Sequence, residues 1–284
     1  MKKALSSIIL TIMLILVSSP AYAATKQIEI DGVAIASDVK PETKNNRTMV
    51  PIRIISENLG ARVDWAHSDS EVTLTKHNMK VTVKPNSSIA VKNGESILMD
   101  VKPYVKKNRL FVPLRFIAET FGCTVDYSNS TVTIHTAPLV IDGTKVGALQ
   151  QEYHMTMGGV VQQINGNAYI EAIYKLLVDN KGKQIEAPVS YSWRVNYSEP
   201  GSYYKNAQYD FLGEKGKSLQ RFDIYSSFGG GSYDGTTDHP SVVIHDPSED
   251  QWYEFSAAAS DSIWNLIYKA SENGFQTVIK NTVA

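Results

Sequence analysis

The sequence offers one cysteine in 284 residues, no block of charge of one sign, and no apolar run long enough to cross a bilayer. Each shortage removes a class of protein. Cys123 has no partner for an internal disulfide, so the fold must be stabilised by its buried core alone. A formal charge of -1 carries no basic signature of a nucleic-acid binder. The six histidines include no His-x-His pair and no HExxH, and no CxxC is present, so the usual metal signatures are missing. A Gly-x-Ser-x-Gly elbow is absent too, which leaves Ser190, Ser192 and Ser232 without the context of a nucleophile. No catalytic, metal or cofactor-binding residue is assigned.

What is present begins with export. Lys2 and Lys3 precede an apolar run from Ile8 to Val17, and Ala21-Tyr22-Ala23 forms a small-x-small cleavage site. The run is well short of the roughly 20 residues of a membrane span. A signal peptide over residues 1–23, cut after Ala23, is therefore expected, with no stable membrane span afterwards. Removing Lys2 and Lys3 takes the formal charge from -1 to -3. Sorting signals of the LPxTG type and surface-layer repeats are missing, so any retention at a wall is expected to be noncovalent.

The first half repeats itself. Residues 50–65 read VPIRIISENLGARVDW and residues 112–127 read VPLRFIAETFGCTVDY, at a constant offset of 62. The shared positions include Pro51 and Pro113, Arg53 and Arg115, Glu57 and Glu119, Gly60 and Gly122, and Asp64 and Asp126. The residue before a proline is pushed to extended geometry, and proline suits the first helical position, so a strand is expected to turn directly into a helix at each site. Ile52, Ile55 and Leu59, matched by Leu114, Ile117 and Phe121, form one buried stripe. Gly60 and Gly122 stand where a left-handed terminator is needed. Alternation then resumes, at Val63, Trp65, Val72 and Leu74 and again at Val125, Tyr127, Val132 and Ile134, which predicts a hairpin after each helix. Arg53 and Arg115 oppose the helix macrodipole, and a structural clamp is expected, to Glu57 and Glu119 or to Asp64 and Asp126.

VPIR…ENLGARVDW and VPLR…ETFGCTVDY resemble the repeat of the copper amine oxidase N-terminal-like, or stalk, domain family, over about residues 28 to 135. The resemblance implies an antiparallel sheet wrapped on helices, on secreted and surface proteins of Gram-positive bacteria, and no catalysis in this segment. Oxidase chemistry would need a tyrosine in an Asn-Tyr-Asp/Glu context and three histidine ligands. Here Asn196-Tyr197 is followed by Ser198, so that activity is not expected.

Ala137 and Pro138 mark a boundary. Beyond it, Ile141-Asp142-Gly143 echoes Ile30-Asp31-Gly32, and residues 164–173 echo a helix entry, which leaves open a decayed third copy over 139–178. Val189 to Tyr197 reads as a strand with Tyr191, Trp193, Val195 and Tyr197 on one face, able to grip a sugar or peptide but more simply facing a core. Phe228 to His239 is a loop whose glycines are not closed by Gly-Lys-Ser/Thr. Val242 to His245 and Trp252 to Phe255 form a hairpin. A helix capped at Ser260 or Asp261 runs through Ser271 to Gly274, with the stripe Ile263, Leu266, Ile267 and Ala270, before a strand from Phe275 to Ile279. Asp238-His239 and His245-Asp246 are the one pairing that invites chemistry, since convergence in a pocket would point to an enzyme.

The resulting expectation is an α+β chain. Two strand–helix–hairpin repeats, about 28–75 and 81–135, carry antiparallel sheet on helices within a 24–136 domain. A β-rich α+β domain follows at 137–284. The function expected is a secreted or cell-wall-associated accessory protein, with the repeats as spacer or docking module and the C-terminal domain binding a cell-wall polymer or extracellular protein. The competing reading is a secreted hydrolase of cell-wall or extracellular polymer.

Overall fold

The computed structural model describes residues 26–283 except 67–69, 195, 197, 200 and 228–239. Ala23, Val195, Tyr197, Ser232, Asp238 and His239 therefore lie outside the described residues. In chain order the first part forms β1 (Gln27–Ile30), β2 (Val33–Ala34), β3 (Glu42–Lys44), β4 (Arg47–Pro51), α1 (Ile52–Asn58), β5 (Arg62–Ala66) and β6 (Glu71–Lys76). Next come β7 (Met79–Val83), β8 (Ile89–Lys92), β9 (Glu95–Leu98), β10 (Tyr104–Lys106), β11 (Arg109–Pro113), α2 (Leu114–Thr120), β12 (Thr124–Ser128) and β13 (Thr131–His135). The remainder holds β14 (Val140–Ile141), β15 (Thr144–Met155), β16 (Gly158–Ile164), α3 (Asn167–Asp179), β17 (Lys181–Ile185), β18 (Tyr191–Ser192), β19 (Tyr203–Gly213), β20 (Ser218–Ser227), β21 (Val242–Asp246), β22 (Gln251–Phe255), α4 (Ala257–Glu272) and β23 (Gln276–Asn281).

Local chemistry sets α1 and α2. Pro51 and Pro113 are not the first helical residues but the extended ones before them, with ψ of 122° and 124°. Each still sits in a strand ladder, where Pro51 faces Phe111 and Pro113 faces Met49. At the other end Gly60 and Gly122 adopt φ of +82° and +78°. Gly60 N donates to Glu57 O and Ala61 N to Ser56 O, and Gly122 N and Cys123 N repeat this to Glu119 O and Ala118 O. Both are Schellman ends, in which the residue after the glycine turns back against the helix. That is why Ala61 and Cys123 are buried. The stripes Ile52, Ile55, Leu59 and Leu114, Ile117, Phe121 are buried as well.

β4 and β11 pair antiparallel with Val50 opposite Val112, in a sheet ordered β10-β11-β4-β3. Since 50 and 112 differ by the repeat offset, the ladder is its own mirror under a local twofold. Side chains obey the same symmetry. Arg47 pairs with Asp100 and Arg109 with Asp38, the latter at 2.7 Å, each reaching across to the other segment. Met49 and Phe111, with Val39 and Val101, fill the small core beneath.

Two further sheets carry the hairpins, ordered β5-β6-β7-β8-β9 and β12-β13-β1-β2. Most ladders are antiparallel, but β1 lies parallel to β13, with Gln27 opposite Thr131. The chain's first described strand thus completes the sheet of the second hairpin. Asp31 secures this closure by accepting from Thr136 N at 2.9 Å and the Thr136 hydroxyl at 2.6 Å.

The rest is a ten-stranded sheet running β17-β22-β21-β20-β19-β15-β16-β23, with β14 and β18 added at its side. Helices α3 and α4 cover one face, where Tyr174 meets Phe211 edge-on and Tyr153 meets Trp264. The cap of α4 is Ser256, whose hydroxyl accepts from Ala259 N, not Ser260 or Asp261. The alanines at 257–259 propagate helix too well for it to begin later. Ile263, Ile267 and Ala270 are buried as expected, with Leu266 partly so. In residues 139–178 a hairpin, β15–β16, precedes α3, as β3–β4 and β10–β11 precede α1 and α2, but no hairpin follows it: β17 pairs with the distant β22, where β5–β6 and β12–β13 follow the first two helices. The buried core continues across residue 137: the Tyr169 hydroxyl donates to Asn58 Oδ1 and accepts from Asn273 Nδ2, tying α1, α3 and α4 together.

Candidate functional surface

The signature charges are held locally. Arg53 pairs with Glu57 at 3.0 Å and Arg115 with Glu119 at 3.8 Å, all exposed. Asp64 instead meets Arg62, and Asp126 lies 3.1 Å from His135 Nε2. The clamp to the aspartates does not form, because alternation along β5 and β12 turns Asp64 and Asp126 to the outer face of their sheets, away from the helices. The exposed Arg–Glu pairs that do form contribute little.

His245 and Asp246 do not converge. Neighbours on a strand point to opposite faces. His245 stacks on Trp252 at 4.3 Å between centroids, with Asp250 at 3.2 Å. Asp246 is buried on the other side, where it accepts from Lys181 Nζ at 2.7 Å, from Gln220 and from Ser248. Burial acts to raise the Asp246 pKa, but the hydrogen bonds from Lys181 and Ser248 outweigh it and hold the carboxyl below the usual aspartate range.

The richest cluster faces away from α3 and α4, and sequence reading missed it. In β19 the register slips between Lys205 and Ala207, so Asn206 is a bulge that turns Lys205 off the core face. Lys205 Nζ then reaches Asp223 at 2.8 Å, and Arg221 grips the same carboxylate through Nε and Nη2 at 2.9 and 2.7 Å. Trp193 closes over the Lys205 ammonium at 4.7 Å and stacks on His154 at 4.0 Å. Burial lowers the Lys205 pKa, and Asp223 opposes that shift. A lysine at the alternation position shared with Tyr203 and Tyr209 was the available signal. Tyr191 meets Tyr225 and Trp252 beside this group. Of the described residues of the expected aromatic row only Tyr191–Ser192 is strand; Tyr191 packs on Tyr225 and Trp252, and Trp193 on His154.

Copper would need converging imidazoles, and the described residues do not fit such a site. His77 lies by Lys175, His135 by Asp126, His154 by Glu152 and His245 by Asp250. Among the described residues no group of three or more His, Cys, Asp or Glu is placed to hold a metal. An open cleft of about 650 Å³ lies between the two parts, lined among others by Lys76, His77, Phe121, Cys123, Leu139 and Glu171. There Glu171 pairs with Lys76 at 3.8 Å and with Lys175 at 3.4 Å. Burial pushes the Cys123 thiol up to about 11, so it stays protonated and unreactive. Among the described residues no helix is long and apolar enough to cross a membrane.

Residues 29–136 match the family model described as copper amine oxidase N-terminal domain. The segment containing β1 to β13 is therefore similar to that domain. No curated protein matches the chain.

Proposed function

We propose that the protein is a secreted or cell-wall-associated accessory protein without catalytic activity. Residues 29–136 are two copies of one strand–helix–hairpin module serving as spacer or docking unit, and the C-terminal part binds a cell-wall polymer or an extracellular protein. The observation that carries this reading is the reciprocal joint around Val50 and Val112, where each copy supplies the arginine that the other copy's aspartate receives. Such a joint fixes one copy against the other and leaves the signature charges spent on local pairs. The shared core from Ile28 to Phe275 then sets the C-terminal part on that support. Among the described residues no arrangement favours the hydrolase, since His245 and Asp246 face opposite ways. Nucleic acid is not an expected partner at a formal charge of -3.

The test is fractionation of the native host into medium, wall and membrane, with N-terminal sequencing and a pull-down on the C-terminal part. A product beginning at Ala24 in the medium or wall is expected. Recovery of the intact leader in the cytosol overturns the reading.

A further inference from the structure

The offset of 62 supplies an internal control for the surface. The β8–β9 hairpin occupies the place of β1–β2: Lys92 faces Glu95 and Val91 faces Ser96, as Ile30 faces Val33 and Glu29 faces Ala34. Both hairpins turn through two residues of positive φ, Asn93-Gly94 and Asp31-Gly32. Yet the outward positions differ in character. The first hairpin carries Gln27, Glu29 and Ala36 where the later one carries Ile89, Val91 and Leu98. Those three are 51%, 38% and 77% exposed. The fold does not demand apolar residues there, since its own counterpart uses polar and small ones.

The strip borders a free edge. β9 closes the sheet β5-β6-β7-β8-β9 and pairs with β8 alone. A two-residue turn makes Lys92 and Glu95 a hydrogen-bonded pair, and Met99 N donates to Ser88 O. Ile97 shares that phase. Ser96 and Leu98 between them aim their backbone N–H and C=O outward, and among the described residues nothing takes them. The edge Glu95-Ser96-Ile97-Leu98 contains no proline and no lysine, the usual guards of a strand edge.

We propose that β9 is a self-association edge whose occupant is β9 of a second copy of this chain. Antiparallel pairing about a twofold at Ile97 sets Ser96 against Leu98 of the partner and Leu98 against Ser96 of the partner. Both are hydrogen-bonded positions, so four backbone hydrogen bonds form with no slip of register. The rows Ile89, Leu98, Ser96, Val91 and their symmetry mates then run continuously across the joint. Six exposed apolar side chains close on one face, with serine leaving room for the leucine opposite. Four residues of edge form a small contact, below the roughly 1,200 Å² of stable complexes, so the dimer is weak and appears only as concentration rises.

The test is sedimentation velocity of the full exported chain over a concentration series, with hydrogen exchange at both ends of it. The wild type is expected to move from monomer to dimer, with slowed exchange at the Ser96 and Leu98 amides. Leu98→Lys and Ser96→Pro, each checked for unchanged circular dichroism, are expected to remain monomeric at concentrations where the wild type is half dimeric. That corresponds to a dissociation constant raised about tenfold or more, or roughly 1.4 kcal/mol. A wild type that stays monomeric throughout overturns the proposal. So does a dimer that persists in either variant, because its interface then lies elsewhere.

Discussion

Replacing Asp223 by asparagine keeps the side chain's shape and deletes its charge. In the native protein Asp223 receives Lys205 Nζ at 2.8 Å and two Arg221 nitrogens at 2.9 and 2.7 Å, with Asp223 3% and Lys205 6% exposed in their side chains. The variant leaves a buried ammonium with Gln208 Oε1 at 3.2 Å and the faces of Trp193 and Tyr225 as its surroundings. Breaking a buried pair from one side costs about 3–5 kcal/mol, because the remaining charge stays desolvated. The pH dependence follows from the direction of the Lys205 shift. Burial sets its folded pKa below the unfolded value of 10.5, so between the two the unfolded chain binds the extra proton and stability rises with pH. Without Asp223 the folded pKa falls further, and the rise begins at lower pH. Urea unfolding followed by tryptophan fluorescence and circular dichroism at several pH values measures both effects. Adding Lys205→Met to Asp223→Asn removes the stranded cation and should restore about 1 kcal/mol or more. A single-variant loss below about 1 kcal/mol, or additive losses in the pair, would refute the reasoning, since both contradict a charge held by its partner.

Three further outcomes are expected. Gly60→Ala and Gly122→Ala each force an alanine to φ near +80°, and each should cost roughly 1–2 kcal/mol in urea midpoint terms. The two losses should be similar, because no atom lies within 4 Å of a Cβ at Gly122 and only ordinary contacts meet one at Gly60. Cys123 should resist a thiol reagent at pH 8 until the protein is unfolded. Its folded pKa is raised from 9.0 to about 11, so its contribution to stability is full below pH 9 and is lost as pH climbs through that window. Arg47→Ala and Arg109→Ala should each cost less than about 1 kcal/mol in thermal unfolding, since both ion pairs are nearly half exposed.

Sequence legibility followed the range of the forces involved. The helices α1 and α2 were readable because proline and glycine act on their own neighbours, and the buried stripes followed from spacing. Even so, the prolines fell one residue outside the helices, a boundary that ψ decides and composition does not. Spacing left the clamp partners of Arg53 and Arg115 open between Glu57 and Glu119 and Asp64 and Asp126, and the glutamates take them because the alternation of the strands turns the aspartates away. Ser256 was missed because the choice among Ser256, Ser260 and Asp261 depends on how far the alanines carry the helix toward its start. The Lys205, Asp223 and Arg221 cluster needed the bulge at Asn206, which no local pattern announces. The pairing of β1 with β13 needed a contact between Gln27 and Thr131, and hydrophobic alternation says that a strand exists but not which neighbour it takes.

That last contact has a consequence in time. Gln27 and Thr131 are 104 positions apart, and a ribosome adds about 5–20 residues per second. The opening strand therefore waits roughly 5–20 seconds for its neighbour to be made, with Ile28 and Ile30 uncovered throughout. A holdase that shields this short tetrapeptide would be most useful during that interval, and a synonymous change that slows translation between the two segments would lengthen it.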